Sequence, residues 1–205
     1  MNADLKAAQD DLAYMKSLVS GSDMRTRMTG QLFLAGGLIY AGQCLFHWLQ
    51  ALGVAPGKGL IALLGSVGPT VLFLVILTLA IVRNPNLSKG GRASKAAGAA
   101  FAAAGSSNLA AIVVFGVVAA AQHSFIIWLL YPCMVFVLQG AAWLVAASLY
   151  RRLWYGAVAL GWFATAIGMA FTIGTSAYVA LVGLGLLLFM ALPGYILLRT
   201  APKGA

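Results

Sequence analysis

The sequence predicts an all-α membrane protein: six transmembrane helices as three antiparallel hairpins, preceded by a short N-terminal amphipathic helix. Three observations carry this. Of 205 residues, 62% are hydrophobic and only 8% charged, where a soluble globular domain carries roughly 25% charged. The apolar residues fall into six continuous runs of about 20 residues or more, long enough at 1.5 Å per residue to cross the ~30 Å hydrocarbon core. The breaks between the runs are mostly a few residues long, which makes consecutive spans neighbours. Such a chain lacks the polar residues to face water on all sides. The composition excludes a cytosolic enzyme, a disordered tail and a nucleic-acid-binding module. The expected surroundings are a lipid bilayer, with no nucleic acid as partner.

In chain order, residues 1–28 form a cytoplasmic amphipathic helix and linker, 29–199 the transmembrane domain and 200–205 a cytoplasmic tail. The N-terminal segment holds all four acids, Asp4, Asp10, Asp11 and Asp23. Leu5, Ala8, Leu12, Met15 and Val19 recur at spacings of three and four, one apolar stripe on a helix. Ser20-Gly21-Ser22 is expected to break that helix. The stripe suits a headgroup surface or a docking seam for a protein partner or second copy through Leu5, Leu12, Met15 and Val19. Asp10 and Asp11 weaken the lipid reading, because anionic headgroups repel them.

The six spans are read at residues 30–54, 59–82, 96–121, 126–149, 153–172 and 177–198. Every backbone amide in hydrocarbon needs an internal partner, so the spans must be helices; barrel strands would be about ten residues long and alternate. Of the 13 basic residues, only Lys58 falls between the first two spans, while the other 12 lie in the tails, the 83–95 loop and the Arg151-Arg152 pair. The positive-inside rule makes that richer side, with both termini, cytoplasmic. No cleavable signal peptide is visible, so the first span is expected to act as its own insertion signal. Pro69, Pro132 and Pro193 place one proline in each even-numbered span, at unequal depths, and no internal repeat is assigned.

Between positions 96 and 111, thirteen of sixteen residues are Ala, Gly or Ser. Small faces let backbones approach closely, so the third helix is expected at the centre of the bundle. Trp48, Trp128, Trp154, Tyr131, Tyr150, Tyr155 and Tyr178 lie near span ends, as an aromatic belt does.

No Asp, Glu, Lys or Arg lies inside a span. Ion-coupled carriers normally keep an intramembrane ionisable group, and hydrolases need a nucleophile with its base, or a liganded metal. The expected protein is not an enzyme and carries no cofactor. The strongest polar signal is a set of mid-depth amides, Gln43, Asn108 and Gln139, with Ser106, Ser107 and Thr165 as additional lining. A buried amide in hydrocarbon must find a partner, so these residues either fasten helices together or form a polar constriction for a small neutral solute. His47 and His123 share the outer layer, without a third ligand for a metal or opposed positions for haem. Cys44 and Cys133 sit in apolar runs as small apolar residues. The stretch 88–95 lacks the spacing and preceding strand of a phosphate loop and reads as a topology-setting loop.

The segments Asp10-Asp11-Leu12-Ala13-Tyr14-Met15-Lys16 and Ala191-Leu192-Pro193-Gly194-Tyr195-Ile196-Leu197-Leu198-Arg199, with the six-span layout, resemble an uncharacterised group of small six-span bacterial inner-membrane proteins. The resemblance implies a bacterial inner membrane and brings no activity, ligand or catalytic residue. Two functions are carried forward. One is a non-enzymatic accessory, regulatory or scaffold protein that binds a partner through its N-terminal helix or small-residue faces. The other is a passive channel or facilitator for a small neutral solute.

Overall fold

The computed structural model describes residues 2–84 and 92–201, with side chains from Thr26 onward. Among these residues there is no strand. Helices are α1 (Asn2–Ala51), α2 (Leu60–Arg83), α3 (Arg92–Ala121), α4 (Phe125–Tyr150), α5 (Leu153–Thr172), α6 (Ser176–Leu186) and α7 (Leu192–Thr200). A π-helical turn, Leu187–Ala191, joins α6 to α7, so Ser176–Thr200 runs as one span. Among the described residues, six helices are long and apolar enough to cross a membrane.

Helix α1 departs from the expected layout, because its backbone continues through Ser20-Gly21-Ser22 without a break. One glycine and two serines inside a helix cost about 1 kcal/mol or less each. Extending an existing helix costs far less than nucleating a new one. The short N-terminal helix is therefore the first half of a 50-residue rod. The side chains of Leu5, Leu12, Met15 and Val19 lie outside the described residues, as do Lys203 and residues 85–91.

Packing orders the spans as α2, α1, the α6–α7 span, α5, α4 and α3, with α2 and α3 at the two ends of the series. Helix α2 packs extensively on α1 alone and has no buried residue. The centre is built from α4, α5 and α6, where Phe136, Trp143, Trp162 and Met169 are fully buried. Trp162 meets Phe136 edge to face at 4.6 Å between ring centroids. The expectation of a central α3 is corrected: only Ser94, Ala97 and Ala104 are buried on it. Small side chains allow close approach but cover little area, so bulky rings fill the middle instead.

Glycine notches set the spacing between helices. A Cβ on Gly140 would meet the Phe163 ring, one on Gly161 the Phe189 ring, and one on Gly185 the Phe136 ring. Helices α1 and α7 come closer still. A Cβ on Gly30 would lie 2.9 Å from the Gly194 carbonyl oxygen, and one on Gly194 would strike the Leu34 amide nitrogen. Backbone packs directly on backbone there, which only small residues permit. The π-helical turn ends just before Pro193. A proline ring collides with the carbonyl four residues back in a regular helix, and the wider turn relieves that collision.

Candidate functional site

The structure does not gather the predicted amide set around one point. Gln43 Nε2 donates to the Ser66 carbonyl oxygen at 2.6 Å, tying α1 to α2. Asn108 and Gln139 lie on α3 and α4, helices on which α2 has no extensive packing. Counted back from the Gln122–Ser124 turn, the two fall at matching depth. Their side-chain oxygens, Oδ1 and Oε1, are both buried without a hydrogen-bond partner. Leaving such an atom unmade costs about 1–3 kcal/mol in a protein interior. Ser106 and Ser107 are exposed on the outer side of α3 rather than lining anything. Thr165 is buried, but its hydroxyl donates back to the Gly161 carbonyl at 2.7 Å. Gln43 therefore works as a fastener, while Asn108 and Gln139 keep buried side-chain oxygens without a partner.

The histidines do local structural work. His47 Nδ1 lies 2.8 Å from Gln50 Oε1, and Gln50 Nε2 donates to the Pro56 carbonyl at 2.6 Å. This relay holds the turn between α1 and α2. His123 adopts a left-handed backbone (φ 49) in the turn between α3 and α4. Among the described residues no group of three His, Cys, Asp or Glu side chains converges. Cys44 and Cys133 are both free thiols.

The aromatic belt divides in two. Tyr155 and Tyr178 are buried rather than presented to headgroups. Tyr178 donates its hydroxyl to the Leu129 carbonyl at 2.6 Å, linking α6 to α4. Tyr155 joins a ring cluster with Trp143, Trp154 and Tyr150, the Trp143–Tyr155 centroids being 5.3 Å apart. Phe33 and Phe101 extend this cluster to α1 and α3, each within 5.5 Å of Trp143.

Above the cluster lies a cavity of about 50 Å³, walled by α1, α3, α4, α5 and α7. Its lining residues lie near the span ends that carry Arg27, Lys95, Arg151, Arg152 and Arg199. Its polar wall comes from Thr26, Thr29, Ser94, Tyr150 and Tyr155, and its floor includes Phe101 and Trp143. Trp143 is only 1% exposed, and its Nε1 has no acceptor. A cavity of this size holds a few waters or one small polar group. Sequence reasoning missed this site because Ser94 reads as part of a loop and the tyrosines read as anchors. The available signal was the clustering of hydroxyl residues at the basic ends of four spans.

Comparison with known protein families, curated proteins and solved structures finds no match to this chain. Fold and composition alone define its class: an all-helical, multi-pass integral membrane protein.

Proposed function

We infer that this chain is a non-enzymatic accessory or scaffold protein of a bacterial inner membrane, with both termini cytoplasmic. It docks a protein partner, or a second copy, through the N-terminal half of α1. The observation that carries the reading is the unbroken course of α1 from Asn2 to Ala51. At 1.5 Å per residue such a helix is about 75 Å long, against ~30 Å of hydrocarbon, so its N-terminal half stands clear of the bilayer. The sequence of that half carries an apolar stripe, Leu5, Leu12, Met15 and Val19, the pattern of a seam for a partner helix. Continuity with the first span would transmit a pull or tilt at the partner directly into the bundle. All four carboxylates lie between positions 4 and 23, so the spans hold no carboxylate–base pair of the kind that hydrolytic chemistry uses.

The test is deletion of residues 2–22 in the full-length protein expressed in a bacterial membrane. Insertion is expected to persist while a specific co-purifying protein, or the self-associated form, is lost. An unchanged set of associated proteins and an unchanged oligomeric state would overturn the reading.

A second reading, a passive facilitator for a small neutral solute, draws on the two unpartnered oxygens of Asn108 and Gln139. Amide oxygens at one depth suit a solute that donates hydrogen bonds. Reconstituted vesicles swelling no faster than empty ones across a panel of neutral solutes would remove it.

A further inference from the structure

The geometry points to an oxyanion site in the cavity at the basic end of the bundle, which takes the phosphate of an anionic phospholipid. Three independent properties of the cavity converge on that ligand.

The first is its hydrogen-bonding character. Indole Nε1 can only donate, and that of Trp143 is buried without an acceptor at the cavity floor. A buried donor left unmade costs about 1–3 kcal/mol, which an incoming acceptor recovers. The hydroxyls of Thr29, Tyr150 and Tyr155 on the same wall can donate as well.

The second is charge. No Asp or Glu occurs anywhere after Asp23. At the same end of the bundle, Arg27 follows Thr26, Lys95 follows Ser94, and Arg151 and Arg152 follow Tyr150; all four are exposed and none lines the cavity itself. Water or a neutral carbonyl would satisfy the indole, but the positive field of that basic end favours an acceptor that carries negative charge. Packed aromatic rings beneath the site lower the local dielectric and strengthen each such contact.

The third is position and size. The cavity lies toward the ends of the spans, within reach of the layer where headgroup phosphates would meet the hydrocarbon. Its volume of about 50 Å³ admits a phosphate group but not a whole headgroup. Pockets between spans at a basic membrane face are where anionic lipid headgroups bind; here the cations flank the cavity's end of the bundle and the hydroxyls and indole line it. A phosphodiester reaching in from the adjacent leaflet and a free phosphate entering from water present the same oxygens.

The experiment uses the full-length protein purified in a neutral detergent, with thermal unfolding followed during titration by three probes: phosphatidylglycerol, phosphatidylcholine and inorganic phosphate. A saturable rise in melting temperature with phosphatidylglycerol, at lower concentrations than with phosphatidylcholine, is expected. A rise with phosphatidylglycerol alone assigns the site to lipid; a rise with inorganic phosphate also, or instead, assigns it to the free ion's chemistry. Trp143→Phe and Thr29→Val each remove one donor while keeping most of the volume, and each is expected to raise the half-saturating concentration about tenfold. If Trp143→Phe does not fold, Thr29→Val alone decides. Equal responses to the two lipids, no response to any probe, or variants that titrate like the wild type would overturn the proposal.

Discussion

Helices α2 and α5 are both spans, yet they stand at opposite extremes of burial. Helix α2 has a mean hydropathy of 2.5, and none of its residues is buried. Helix α5 has a mean hydropathy of only 1.4 but buries Tyr155, Val158, Ala159, Trp162, Thr165, Ala166 and Met169. In water the greasier helix would be the inner one. In a bilayer the lipid tails are as apolar as leucine, so apolarity alone gives no reason to leave lipid for protein. Burial goes instead to the helix with the shapes that interlock: the Gly161 notch, the flat rings of Trp162 and Tyr155, and a threonine that satisfies itself along its own helix. The contrast teaches that hydropathy here reports spanning, while notches and rings report neighbours.

The most severe challenge to this contrast is Trp162→Ala. The side chain is fully buried at the centre, and its removal is expected to cost about 3–5 kcal/mol, read by thermal or denaturant unfolding in detergent. Leu186→Ala, at a site 7% exposed, is expected to cost about 2 kcal/mol. That is the low end for such a truncation, because lipid rather than water receives the freed surface and mainly packing is lost. Gly194→Leu forces α7 away from α1 and is expected to cost about 1–3 kcal/mol, with a loss of protease resistance at the two helix ends as a second readout. Gln43→Leu removes the bond to Ser66, and a loss of about 0.6 kcal/mol is expected. Smallest of all, Leu72→Ala on α2, where the leucine is 51% exposed, should change stability by no more than about 0.5 kcal/mol. The matched leucines sharpen the comparison most: if Leu72→Ala cost as much as Leu186→Ala, the distinction between the two regions would fall.

Much of the layout was legible in advance. Continuous apolar runs must be helices because hydrocarbon offers backbone amides no other partner, and the runs at 153–172 and in α5 coincide. Other features were not legible, for reasons visible at single residues. Nothing local distinguishes a serine and glycine pair that ends a helix from one that a long helix absorbs, and α1 passes through Ser20-Gly21-Ser22. The small-residue run in α3 pointed to the centre, whereas the deciding quantity was how much area a partner can cover, which Ala and Gly supply poorly. Tyr155 and Tyr178 sit where belt residues sit, but their direction around the helix depends on which neighbour occupies that side. Of the candidate site, mid-depth position was readable for Gln43, Asn108 and Gln139; that Gln43 would be taken up by the Ser66 carbonyl was not.

The sequence by itself determined the solvent, the secondary structure and the spans, because each follows from one segment's own need to satisfy its backbone and match the hydrocarbon thickness. Which span lies in the middle, which amides stay unpartnered and where a basic-end cavity forms were decided only in three dimensions. Those outcomes depend on how ring, notch and backbone from distant segments fit together, and lipid, being as apolar as the helices, leaves shape complementarity to choose among them.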